Sequence, residues 1–207
     1  MLKEYLYNEI KNYLKSIAKD TYVISILINF NECNVYDNIE NFPYVSIFSN
    51  TLSDIEDCND EEEKWNMAFW GCNDEKYLVA DDKSAKLLVD WYAENGVDNI
   101  GYEDDEQDYD DEMNYIGNGP NGCKELYTLI SDIILNLRSD NEVGKIIADV
   151  PILIHDYEYS YYVTKYIKSV NPDGQADEFL KYYEENFFVY VKKILKYIEN
   201  DKECFYV

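Results

Sequence analysis

Basic residues are scarce in this chain. Lys and Arg together number 18 against 43 Asp and Glu over 207 residues, giving a formal net charge of -25. Arginine occurs once, as Arg138, and histidine once, as His155. Neutralising a nucleic-acid backbone takes clustered Lys and Arg, so nucleic acid is not an expected partner. Anionic membrane surfaces are disfavoured for the same reason. A single histidine excludes a His-rich metal centre unless carboxylates supply the other ligands. The cysteines are Cys33, Cys58, Cys72, Cys123 and Cys204. Their number is odd and no C-x-x-C pair occurs, so neither metal-site spacing nor a complete intrachain disulfide framework is present. Met1 to Asp20 lacks the apolar core of a secretory signal, and the apolar run Tyr22 to Phe30 is too short to span a bilayer. The expectation is a cytoplasmic chain with reduced thiols and no membrane association. The Gly117 to Gly122 stretch lacks the lysine and Ser/Thr of a phosphate-binding loop, and Ser160 has no nucleophile-elbow context. No cofactor is expected.

What remains is rich in aromatics and in acid. The 22 tyrosines, 8 phenylalanines and 3 tryptophans argue against the disorder that so much charge otherwise suggests. A 46% hydrophobic share supports a sizeable core. Leu2, Tyr5, Leu6, Ile10, Tyr13, Leu14 and Ile17 recur at helical spacing and predict an amphipathic first helix. Tyr22 to Phe30 reads as a strand buried on both faces, and Tyr44 to Phe48, after Pro43, as its antiparallel neighbour. Lys64 to Gly71, with Trp65 and Trp70, fits a helix end or a third strand equally. Asn73 to Lys76 reads as a turn. Asp82 or Ser84 is expected to cap a helix that Asn95-Gly96 ends. Leu126, Leu129, Ile130, Ile133, Ile134 and Leu137 mark another helix. Tyr159 to Val170 and about Asp177 to Asn200 give the last two. The expectation is one α+β domain over residues 1–207. It has a mainly antiparallel central sheet of about four strands, helices packed around it, and an acidic loop insert at about 101–122.

Val150-Pro151-Ile152-Leu153-Ile154-His155-Asp156-Tyr157-Glu158-Tyr159-Ser160 organises the rest. It begins as a buried strand and ends abruptly in acids and tyrosines, and such strand ends carry the working surface in many α/β proteins. His155 and Asp156 are adjacent, so on a strand they face opposite ways and do not form an acid–base pair. A structural histidine is the plainer reading. Tyrosines following it, Tyr157 and Tyr159 among them, offer large contact area at low entropy cost, although core packing alone also explains such a cluster. Trp65 is an interface anchor if it is partly exposed beside Glu61 to Glu63. The segment Gly101 to Glu112 is the most biased: Glu103, Asp104, Asp105, Asp108, Asp110 and Asp111 surround Tyr109. It lacks the interior glycine and alternate spacing of an EF-hand, so a solvated acidic loop is preferred over a calcium site, and no metal is expected.

The first helix followed by the Tyr22 to Phe30 strand, the Lys64-Trp65 to Trp70 segment, and the Val150 to Ser160 stretch with Asn171-Pro172 after it resemble the bacterial domain-of-unknown-function 4303 family. The resemblance implies a small cytosolic α+β protein without an assigned activity, similar to domains found beside polymorphic toxins as immunity proteins. It carries over no catalytic residue. On this reading the chain binds a basic protein partner, such as a toxin nuclease. Glu103, Asp104, Asp105, Asp108, Asp110 and Asp111 would steer it, and Tyr109, Tyr157 and Tyr159 would anchor it. The oligomeric state is left open. The alternative is a metal-assisted hydrolase or transferase using His155, Asp156 and Glu158. The third reading is a structural or assembly protein that self-associates through aromatic surface, and the bland reading of the acidity is that it merely keeps the chain soluble.

Overall fold

The computed structural model describes residues 1–30, 35–56, 60–71, 74–102, 117–157, 159–160 and 162–186. In chain order these form α1 (Leu2–Leu14), β1 (Thr21–Phe30), β2 (Pro43–Thr51), α2 (Glu61–Trp65), β3 (Lys76–Val79), α3 (Asp82–Glu94), α4 (Cys123–Arg138), β4 (Ile152–His155) and α5 (Val163–Val170). Short 3₁₀ turns occupy Ser53–Ile55 and Met67–Phe69. Residues 177–186 are helical, and the rest of the expected last helix lies outside the described residues.

The four strands form one sheet in the order β3-β2-β1-β4. β1 and β2 are buried almost throughout, because their β-branched and aromatic side chains meet cover on both sides. Their antiparallel register pairs Ile26 with Ile47 and Ile28 with Val45. β4 runs parallel to β1, pairing Ile24 with Ile152 and Leu27 with His155. The sheet is therefore mixed: two of its three strand pairs are antiparallel, in keeping with the expected mainly antiparallel sheet, and the β1–β4 pair is parallel. The cause is the return through α3 and α4: the chain leaves β3, crosses the helical layer, and enters β4 from the same end at which β3 began.

One face carries Ile24, Ile26, Ile28, Val45, Ile47, Ile152 and Ile154. α1 packs here against α3 and α4, and α4 against α5. Tyr13 of α1 donates to Asp74, which also takes the Ser49 hydroxyl of β2. The other face carries Ser25, Leu27, Asn29, Ser46, Phe48, Leu153 and His155. Aromatic rings cover it: Trp70 meets Phe48 edge-on at 5.9 Å, and Tyr159 stacks on His155 at 4.2 Å. A continuous buried cluster joins both layers from Leu2 to Tyr183.

Several local expectations are corrected. Lys76 opens β3 rather than closing a turn, since pairing with β2 holds a four-residue edge strand too short to show a period. Of the two readings of Lys64 to Gly71 the helix end holds and the strand does not: α2 ends at Trp65, a 3₁₀ turn follows, Trp70 caps that turn, and both rings are buried. Trp65 is thus core, not an interface anchor. The α3 cap is Asp81, whose carboxylate accepts the Ser84 amide at 2.7 Å in a capping box.

Candidate functional site

The carboxyl ends of β1 and β4 lie at one end of the sheet, beside the start of β2 and the end of β3. After His155 the chain turns sharply. The Asp156 carboxylate accepts the Ser160 amide at 2.9 Å and the Tyr162 hydroxyl at 2.8 Å, which folds the chain back on itself. The turn sends two tyrosines in opposite directions. Tyr159, at φ +50°, goes inward to stack on His155, and its hydroxyl donates to the Trp65 carbonyl at 3.3 Å. Tyr157 goes outward across the sheet end, where its hydroxyl hydrogen-bonds that of Tyr44.

Tyr157 closes one side of a groove of about 600 Å³. Tyr44 stands 6.2 Å from Tyr157 and 6.0 Å from Tyr77, ring centre to ring centre, at tilts of 54° and 51°. Tyr36 and Phe42, 5.1 Å apart, line it as well. Tyr77 and Tyr157 are each about half exposed, at 54% and 51%. The charged lining groups are Asp81 and Asp82, both at the α3 N-terminus. Burial, then the bond to Tyr157, raises the Tyr44 hydroxyl well above its ordinary range. The Glu75 charge, followed by burial, raises Tyr77, which donates to Glu75 at 3.3 Å. Both rings therefore stay neutral phenols at physiological pH.

The base of the acidic segment is fixed by hydrogen bonds. The Gly101 amide donates to the Asn121 carbonyl at 2.9 Å, and the Asn121 amide to the Tyr102 carbonyl at 2.8 Å. Asn41, three residues before Tyr44, donates its side-chain amide to the Gly101 carbonyl at 3.3 Å. A Cβ on Gly101 would sit 2.5 Å from the Asn41 carbonyl oxygen, and φ is +77°, so only glycine fits this approach. The two ends of the acidic stretch are thus tied to each other, and Tyr102 at its entry lines a second hollow of about 650 Å³ with Asn41, Val89 and Ala93. Glu103, Asp104, Asp105, Asp108, Tyr109, Asp110 and Asp111 themselves lie outside the described residues.

Of the expected anchors, Tyr157 is at the surface and Tyr159 is not. Tyr159 is 3% exposed, so its place among the surface anchors is corrected: the left-handed backbone turns it onto His155. Tyr44, Tyr77, Asp81 and Asp82 were not anticipated as site residues. The available signal was a tyrosine standing at the start of one strand and a second in the short Lys76–Val79 run, where apolar residues would serve the core equally well.

The residues of the metal-assisted alternative are otherwise engaged. His155 is fully buried, with Nε2 2.5 Å from the Ser25 hydroxyl and Nδ1 2.7 Å from the Asp156 carbonyl. Burial pulls its pKa down to about 4. Asp156 is committed to Ser160 and Tyr162, and Glu158 lies outside the described residues. Among the described residues no group of His, Cys, Asp and Glu is placed to hold a metal ion. A hollow of about 710 Å³ at the opposite sheet end contains Asp20, Asp54 and Asp74. Each is bound within the chain: Asp20 by Ser53 and Asp54 by Thr51, both at 2.6 Å, and Asp74 by Ser49 and Tyr13. Its acids are tied down, as Asp81 of the tyrosine groove is by Ser84, but that groove adds open rings and the exposed Asp82.

Among the described residues no helix is long and apolar enough to cross a membrane. Comparison with family models, curated proteins and solved structures finds no match to this chain.

Proposed function

We propose that the chain is an acidic protein-binding module, an immunity-type inhibitor that blocks a basic toxin such as a nuclease by covering its active site. The reading is supported chiefly by one juxtaposition: half-exposed Tyr77 and Tyr157 and the acids Asp81 and Asp82 line one groove at one end of the sheet. Aromatic rings on a rigid sheet are efficient anchors, since little side-chain freedom is lost on contact. The surplus of 43 acids over 18 basic residues supplies long-range attraction for a positively charged protein. Inhibition is steric, and the field sets the rate of encounter rather than the chemistry. The resemblance to the domain-of-unknown-function 4303 family, with its toxin-adjacent setting, belongs to this reading.

The test is association with the basic product of a neighbouring reading frame, followed by stopped flow. The expected result is a stoichiometric complex without nuclease activity, whose on-rate falls steeply between about 0.05 and 0.5 M salt as the field is screened. Tyr157→Ala or Tyr77→Ala should weaken it by about 1–2 kcal/mol while leaving the fold intact. An on-rate indifferent to salt contradicts the mechanism.

A further inference from the structure

The rings of the groove are disposed to hold a cation. Tyr44 stands between Tyr77 and Tyr157, about 6 Å from each and tilted by 51° and 54°, so neither neighbour stacks flat against it. The Tyr44–Tyr157 hydroxyl bond fastens two of the rings into one wall. A tyrosine face carries the negative side of the ring quadrupole, and attracts a cation placed over it. Asp81 and Asp82 line the same groove, and among the described residues no lysine, arginine or histidine does. Half of the Tyr77 and Tyr157 surface is open to solvent, so a side chain can enter from outside.

Resting on the binding-module reading, we infer that this groove seats one arginine side chain of the protein partner, its guanidinium over the Tyr44, Tyr77 and Tyr157 rings and facing Asp81 and Asp82. Arginine suits the site better than lysine. Its planar, weakly hydrated head stacks on aromatic faces and can present two N–H donors to a carboxylate, whereas an ammonium is a strongly hydrated point charge.

The experiment uses the full chain with ring-labelled tyrosine, observed by NMR during titration with Nα-acetyl-arginine amide. Nα-acetyl-citrulline amide, its neutral isostere, and the lysine amide are run alongside. The arginine probe should shift the Tyr44, Tyr77 and Tyr157 ring signals saturably, the lysine probe should bind more weakly, and the citrulline probe should leave them in place. Tyr77→Leu should weaken the arginine probe about three- to fivefold, the size of one exposed cation–ring contact. Asp82→Asn, at an exposed position outside the capping box, should weaken it as well while the amide spectrum shows the fold unchanged. Rings that do not respond, a citrulline response equal to that of arginine, or tighter binding of the lysine probe overturns the assignment. A basic partner that binds while the rings ignore the arginine probe sinks the pocket and leaves the binding-module reading standing. Rings that respond while no basic protein associates do the reverse.

Discussion

At the scale of the residue, His155 is a group whose chemistry the fold alters. It is fully buried beneath Tyr159, and both ring nitrogens have partners in Ser25 and the Asp156 carbonyl. Burial disfavours the charged ring and lowers its pKa from 6.5 to about 4, the neighbouring Asp156 groups opposing only in part. As pH falls below 6.5, the unfolded chain takes up a proton that the folded chain refuses. Stability is therefore lost as pH falls from about 6.5 to about 4, and this component levels off below. The depressed pKa corresponds to about 3 kcal/mol over that window. Urea unfolding at pH 7 and pH 4 should show the parent chain losing about that much more than His155→Gln. Equal losses in the two proteins would mean that the histidine is not held neutral.

At the scale of the element, the single arginine ties the end of the fold together. Arg138, at the last turn of α4, donates Nε to the Val170 carbonyl at 2.5 Å and Nη1 to that of Ile147 at 2.8 Å. Its Nη2 reaches the Val150 carbonyl at 3.1 Å and Asn171 Oδ1 at 2.8 Å. Asn171 in turn bonds both the amide and the carbonyl of Ile152, at 2.9 and 2.8 Å, so α4, α5 and the start of β4 share one polar hub. A lysine cannot supply this fork. Arg138→Lys should lower stability by about 2–4 kcal/mol, read as a drop in the urea midpoint at unchanged slope. Long periodic elements such as α1, β1 and α4 were legible in the sequence because each buries a whole face. β3 and the direction of β4 were not. A four-residue edge strand has no period of its own, and strand direction depends on where the intervening helices return the chain. The same limit applies to the site. Tyr157 stood out in an organising stretch, but its neighbour Tyr44 comes from 113 residues earlier, and only the sheet brings them together. Tyr159 could not be told from Tyr157, because one left-handed residue decides which ring is core.

At the scale of the whole molecule, charge and shape divide the work. The net charge of -25 is a property of the entire chain and attracts basic partners from any direction. Its single arginine stays within the fold's polar hub. The tyrosine groove gives the attraction a place to end. The central claim is that this end of the sheet is the binding face. Hydrogen exchange of the chain, alone and with the basic protein proposed as its partner, tests it most directly. The account predicts slowed exchange on binding at residues 35–44, 76–82 and 156–160, and none around the opposite hollow at 16–20 and 49–54. Protection centred on that opposite hollow, or spread evenly over the surface, would contradict it.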